Sequence, residues 1–235
     1  MNLNTRNQQN DVLDLITIDN FDQNLKNLSN SLQCLTLGDL FNQKLENLPN
    51  NLQNLTFYCN SRFNQKLETL LTNLQNLTLG IRFNQKLENL PNNLQNLTFY
   101  WNSRFNQNLE NLPNNLQNLT LGYCFNQKLE NLPNNLQNLT LGYCFNRKLE
   151  NLPNNLQNLT LGRYFNQSLN PCIALPKLQN LTLNSHYDLE IPPLFNTTIN
   201  YVSNSGNIKK KLCENYKKYG INKWKNIFYK SINIK

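Results

Sequence analysis

The chain has 235 residues, of which 39% are hydrophobic, and a mean hydropathy of -0.61. So lean an apolar content excludes a conventional globule unless the apolar residues are placed very regularly, and no stretch approaches the roughly 18 apolar residues needed to cross a bilayer. The formal net charge is +8, and residues 207–235 carry nine Lys and one Glu, so attraction to polyanions belongs to that segment and not to the near-neutral remainder.

Residues 1–20 form an N-terminal cap in this reading: MNLNTRNQQN has no apolar signal region, and VLDLITI at 12–18 reads as a degenerate first strand. The default expectation is an intracellular, cytoplasmic protein without a membrane span. Cys34, Cys59, Cys124, Cys144, Cys172 and Cys213 form no CxxC pair and read as reduced thiols. Cys124 and Cys144 fall on neighbouring units, where a bridge is conceivable, but stacked in-register positions rarely give disulfide geometry.

From Phe21 the chain repeats itself. Units begin at Phe21, Phe41, Phe63, Phe83, Phe105, Phe125, Phe145 and Phe165, spaced 20 or 22 residues apart, with the consensus FNQKLENLPNNLQNLTLG. Two longer units end in FYCNSR and FYWNSR. In each unit LQNLTL matches the L-x-x-L-x-L core of a leucine-rich repeat. The alternation in NLTL has the period of a strand, which turns the leucines inward and leaves Asn54, Thr56, Asn96, Thr98, Asn118 and Thr120 on an open face. Leu-Pro ahead of the strand discourages a helix, and the short return leaves room only for extended segments or a 3-10 turn.

A single such coil cannot bury enough surface to fold, so eight of them over residues 21–184 must stack. The predicted fold is a leucine-rich-repeat-like solenoid, with a parallel β-sheet on the concave side, extended or 3-10 convex segments and a short C-terminal helical cap. Stacking near-identical coils sets Asn over Asn in amide ladders. It also sets Lys over Lys (Lys44, Lys66, Lys86, Lys128, Lys148), with a Glu column two residues on to limit the repulsion. Asn60, Asn102, Cys124 and Cys144 sit where a horseshoe repeat needs a group to satisfy inward backbone atoms.

Residues 185–206, through HYDLEIPPLFNTTINYV, read as a degenerate capping repeat. Beyond them, Ile208, Leu212 and Tyr216, then Ile221, Trp224, Phe228 and Ile232, recur at helical spacing, so residues 207–235 predict a helical segment broken at Gly220.

Taken together, FNQ, then L, then LP, then LxxLxL, eight times over, resembles the FNIP repeat, a leucine-rich-repeat relative of social amoebae and large DNA viruses. Here Lys mostly stands at the fourth position, where that family usually has Pro. Some members carry an N-terminal F-box for ubiquitin ligation. The 20 residues ahead of Phe21 are too few for it, so the resemblance implies a binding scaffold.

Chemistry is sparse. NLT recurs at Asn54, Asn76, Asn96, Asn118, Asn138, Asn158 and Asn180, and NTT begins at Asn196; without a secretory signal these glycosylation sequons read as by-products of the strand pattern. The lone His186, beside Tyr187, Asp188 and Glu190, reads as a surface loop rather than a catalytic or metal site. No phosphate loop, metal-ligand spacing or nucleophile elbow is visible, so no enzyme, cofactor or metal is expected.

Recognition is better placed. Repeat proteins bind on their extended concave face, and here that face varies only where the strands end, at Asp39, Tyr58, Cys59, Ile81, Arg82, Tyr100, Trp101, Tyr123, Tyr143, Arg163 and Tyr164. Tyr, Trp and Arg are the types enriched at interface hot spots, so these residues either choose a protein partner or only pack on neighbouring coils. In the basic segment, Lys209, Lys210, Lys211, Lys217, Lys218, Lys223, Trp224 and Lys225 suit a capping helix with a solvated Lys face. The same residues also suit single-stranded nucleic acid or an anionic surface.

Overall fold

The computed structural model describes residues 4–7, 13–16, 22–25, 28–67, 72–194, 196–202 and 208–212. Among the described residues, twelve strands pair in sequence order in one sheet. They are β1 (Asn4–Asn7), β2 (Leu13–Ile16), β3 (Leu32–Leu37), β4 (Asn54–Phe57), β5 (Asn76–Leu79) and β6 (Asn96–Phe99), followed by β7 (Asn118–Thr120), β8 (Asn138–Thr140), β9 (Asn158–Thr160), β10 (Asn180–Asn184), β11 (Thr198–Val202) and β12 (Ile208–Leu212). β2 to β11 run parallel, and an antiparallel strand closes each end. Between strands the described chain has one 3-10 turn, Asn170–Ala174, as the short return allows.

Register is fixed by repetition: Asn54 pairs with Asn76, Leu55 with Leu77 and Thr56 with Thr78, and every later coil follows suit. The inward leucines are buried while Asn and Thr are half-buried on the open face, as period-two alternation requires. Behind the sheet, Phe41, Phe63, Phe83, Phe105, Phe125, Phe145 and Phe165 form a buried column. Phe57 and Phe99 wedge into it with centroids 4.1 and 4.2 Å from Phe63 and Phe105. Tyr187 ends the column, 6.0 Å from Phe165, and its hydroxyl donates to the Gln167 carbonyl.

The sense of curvature follows from two spacings. Successive Phe rings of the column lie 6.0 to 6.3 Å apart, whereas paired strands are about 4.8 Å apart. Equivalent points are therefore closer on the sheet side than in the interior behind it. The coils fan outward and the sheet lines the inside of the bend.

Asparagine holds the coils together in three ways and shapes the turn within each coil in a fourth. Side-chain amides of Asn76, Asn96, Asn118, Asn138, Asn158 and Asn180 each donate to the Asn one coil back, the last at 2.7 Å, and this is the expected ladder. These are the sequon asparagines, so their nitrogens are engaged within the sheet face. The Asn after each Phe does a different job. Its Oδ1 accepts the backbone N–H of the same residue in the next coil, from Asn42 to Asn64 (3.0 Å) through to Asn146 to Asn166 (2.9 Å), with Asp22 serving in the first coil. The second Asn of PNN donates to the preceding coil's carbonyl, as from Asn115 to Asn92 at 2.9 Å. Finally, Asn47, Asn89, Asn111, Asn131 and Asn151 take φ between 55° and 63°, a left-handed conformation that Asn adopts more readily than most residues.

One expectation is corrected. Ile208 and Leu212 were spaced as a helix, yet Ile208–Leu212 is strand β12, antiparallel to β11 with Val202 opposite Ile208. A five-residue segment beside an open sheet edge gains ladder bonds at once, while an isolated helical turn carries the cost of nucleation. Residues 213–235, with the rest of the predicted cap, lie outside the described residues. No helix among the described residues is long and apolar enough to cross a membrane.

Candidate functional site

The strand-end edge, where the sequence varies, takes two forms. In the 20-residue coils the strand runs into Gly, because nothing larger fits: a Cβ at Gly142 would lie 2.0 Å from the Gly122 carbonyl oxygen, and one at Gly162 would lie 2.1 Å from that of Gly142. The coils touch backbone to backbone, and the tyrosines that follow are stacked. Tyr123 and Tyr143 lie 4.7 Å apart at 10°, Tyr164 meets Tyr143 edge-on at 4.8 Å, and the Arg163 guanidinium stands 5.6 Å over the Tyr143 ring. Desolvation, then the neighbouring Cys144 and Tyr143, push the Tyr123 hydroxyl up, and a hydrogen bond with Tyr143 does most to raise Tyr164. These rings are uncharged and stack on one another, with Tyr143 half-buried between the more exposed Tyr123 and Tyr164.

In the 22-residue coils two inserted residues make a bulge. The backbone turns through Tyr58 to Ser61 and Tyr100 to Ser103, each Ser N–H donating to the Tyr carbonyl at 3.0 and 2.8 Å. The Ser hydroxyls, fully buried, accept the backbone N–H of Phe63 and Phe105 at 3.2 Å. The two bulges meet over the short coil between them, where Cys59 Sγ donates to Asn102 Oδ1 at 3.6 Å. Tyr100 is half-buried there, its hydroxyl pushed up by desolvation and then by Cys59, Tyr58 and Asp39. Trp101, at the tip, is 75% exposed.

The inward satisfying role expected of Asn60 and Asn102 therefore belongs to Ser61 and Ser103; Asn60 is exposed and Asn102 half-buried. The NSR ending shared by both long coils carried that signal. Cys124, Cys144, Cys59 and Cys34 are half-buried and outside any disulfide, Cys34 accepting the Asn54 amide at 3.2 Å, while Cys172 is buried and likewise unbridged; Cys213 lies outside the described residues.

The structure thus divides the candidate edge residues. Tyr58, Tyr100 and Trp101 gather on the bulged half, with Arg82 exposed beside them, and Tyr123, Tyr143, Arg163 and Tyr164 form the stacked half. Two residues escaped notice in the sequence: Arg62 and Arg104, both exposed, occupy the position of Arg82 directly ahead of the Phe column on the flanking coils. Of the basic-segment candidates, Lys209, Lys210 and Lys211 lie on β12, while Lys217, Lys218, Lys223, Trp224 and Lys225 fall outside the described residues. His186 is exposed, its backbone N–H donating to Asn184 Oδ1 at 3.1 Å.

No curated protein matches the chain. Among solved structures, the crystal structure of CroV588, a giant-virus protein described as a novel circular LRR protein, is similar at 31% identity over 75% of this chain, with a TM-score of 0.47. The chain covers 34% of that protein's length. The family model of the FNIP repeat matches residues 21–60, 105–144 and 145–186, more than half of the sequence. The chain belongs to the FNIP repeat family.

Proposed function

We propose that the protein is a non-enzymatic scaffold that holds a protein partner on its strand-end edge, chiefly through the bulged half from Tyr58 to Arg104. Solenoids of this type commonly serve as protein-interaction scaffolds. The observation that carries the reading is Trp101, held 75% exposed at the tip of a bulge whose base is fixed by the buried Ser103 and by the Cys59 bridge. A large aromatic kept in water on a rigid mount has its contact surface ready and little conformational entropy left to lose.

The alternative, nucleic-acid or anionic-surface binding through the basic segment, is weaker for Lys209, Lys210 and Lys211. They stand on an outer strand of the sheet, where lysines discourage pairing with other chains, and this gives them a structural reason. The test is capture from cell lysate by the full chain and by the Tyr100→Ala/Trp101→Ala variant, with melting temperatures measured alongside. Loss of capture at unchanged melting temperature is expected. Undiminished capture sinks the proposal, and loss on changing the three β12 lysines to Gln instead transfers recognition to the basic segment.

A further inference from the structure

We infer that Arg62, Arg82 and Arg104, with Trp101 beside them, bind an extended acidic segment of the protein partner. The inference rests on the functional reading above and names the chemistry of its partner. Each Arg directly precedes a Phe of the buried column, and the Arg62 and Arg104 backbone N–H groups donate to the Asp39 and Ile81 carbonyls of the preceding coil at 2.8 and 2.9 Å, so the three arginines rise from consecutive coils about one strand spacing, roughly 4.8 Å, apart. All three are exposed.

Packing does not call for arginine there, because the same position holds Leu40, Cys124, Cys144 and Tyr164 in other coils. Nor is the charge compensated as it is elsewhere. The fourth-position lysines each have a Glu two residues on, and Lys128 pairs with Glu130 at 3.4 Å, whereas from residue 39 to residue 62, and on to 82 and 104 along the edge, Asp39 is the one carboxylate among the varied positions. No ion pair to the three guanidiniums occurs among the described residues. Three stacked like charges without a structural duty are a cost unless an anion joins them.

Geometry selects the kind of anion. In an extended peptide, side chains on one face recur about every 6.6 Å, a separation that long arginine side chains on adjacent coils can span by splaying apart, and guanidinium forks match carboxylates two bonds at a time. Single-stranded nucleic acid also offers regular charge, but it needs a succession of open rings for its bases. The faces of Tyr123 and Tyr143 are turned on each other, and Tyr58 and Tyr100 are half-buried, which leaves Trp101 as the open ring beside the arginines. One aromatic anchor flanked by cations suits an acidic peptide carrying one apolar residue.

The test is selection of 12-residue peptides from a random library on the full-length protein, in parallel with selection from a random pool of single-stranded oligonucleotides. Peptides enriched in Asp and Glu at alternate positions are expected, with affinity falling about 10- to 100-fold in Arg62→Gln/Arg82→Gln/Arg104→Gln and in high salt. The exposed triple variant should melt as the parent does. Peptides without acidic enrichment, or acidic peptides bound equally by the triple variant, overturn the inference, as do oligonucleotides bound more tightly than any peptide and lost in the same variant. If the triple variant still captures the partner that Tyr100→Ala/Trp101→Ala loses, this inference falls while the functional reading stands.

Discussion

The two halves of the strand-end edge solve the same problem in opposite ways. From Gly122 to Tyr164 the coils press backbone on backbone and the tyrosines stack on one another, so each ring gives part of its surface to its neighbour, although Tyr123 and Tyr164 remain partly exposed. From Tyr58 to Arg104 two extra residues lift the turn, a buried Ser replaces the Gly contact, and a Trp and three arginines are left to the solvent. The difference teaches that in a repeat whose interior changes little, chiefly from Leu to Phe57 and Phe99 in the two long coils, two inserted residues are enough to lift a close-packed turn into a more open one.

The comparison can be broken most severely at Gly142. Substitution by Ala must push the coils apart at a 2.0 Å contact, and should lower stability by about 3 kcal/mol or more, roughly 6–12 °C in melting temperature. A loss under 1 kcal/mol would show that the closed half is not close-packed. Next in size is Asn118→Ala, which leaves the Asn96 oxygen and the Asn138 amide without their ladder partners. About 2 kcal/mol is expected by chemical denaturation, in contrast to an exposed change such as Lys128→Gln.

Alkaline pH adds a milder probe. Burial pushes the Cys172 thiol and the Tyr187 hydroxyl up to about 12, from ordinary values of 9.0 and 10.0, so the folded state favours their neutral forms. Their stabilisation is complete below pH 9 and is lost as pH rises toward 12, because the unfolded chain ionises first. Melting temperature should fall across that window, and less steeply in Cys172→Ala/Tyr187→Phe, which keeps a ring against Phe165. The smallest effect concerns the unit beginning at Phe63, whose sequence has Thr69 and Leu71 where most other units have Asn and Pro. Thr69→Asn/Leu71→Pro should raise stability by about 0.5–1 kcal/mol in thermal melts, and a decrease would contradict the role given to the left-handed asparagines.

What the sequence made legible follows from repetition. A period of 20 or 22 residues with L-x-x-L-x-L fixes coil, register and inward face together, so the parallel sheet and the Asn ladder could be read directly. The Asn after each Phe was less legible, because in a chain about one-fifth Asn nothing distinguishes the residue whose Oδ1 accepts a neighbour's N–H from one that is merely exposed. Ser61 and Ser103 were overlooked for a related reason: the inserted residues shift the satisfying position one place beyond Asn60 and Asn102. At β12, the spacing of Ile208 and Leu212 fits a helix and equally an even-numbered strand period, and only the presence of an open edge decides between them. On the candidate edge the residue types pointed to recognition, but which tyrosines close on each other and which Trp stays open depends on coil length acting in three dimensions.

The central claim is that recognition lies on the bulged half of the edge. Hydrogen exchange of the full chain, free and with its captured partner, tests it most directly. Protection is predicted at residues 58–62, 81–82 and 100–104, with residues 122–124 and 142–144 unchanged. Protection confined to the stacked tyrosines or to residues 207–235 would contradict the account.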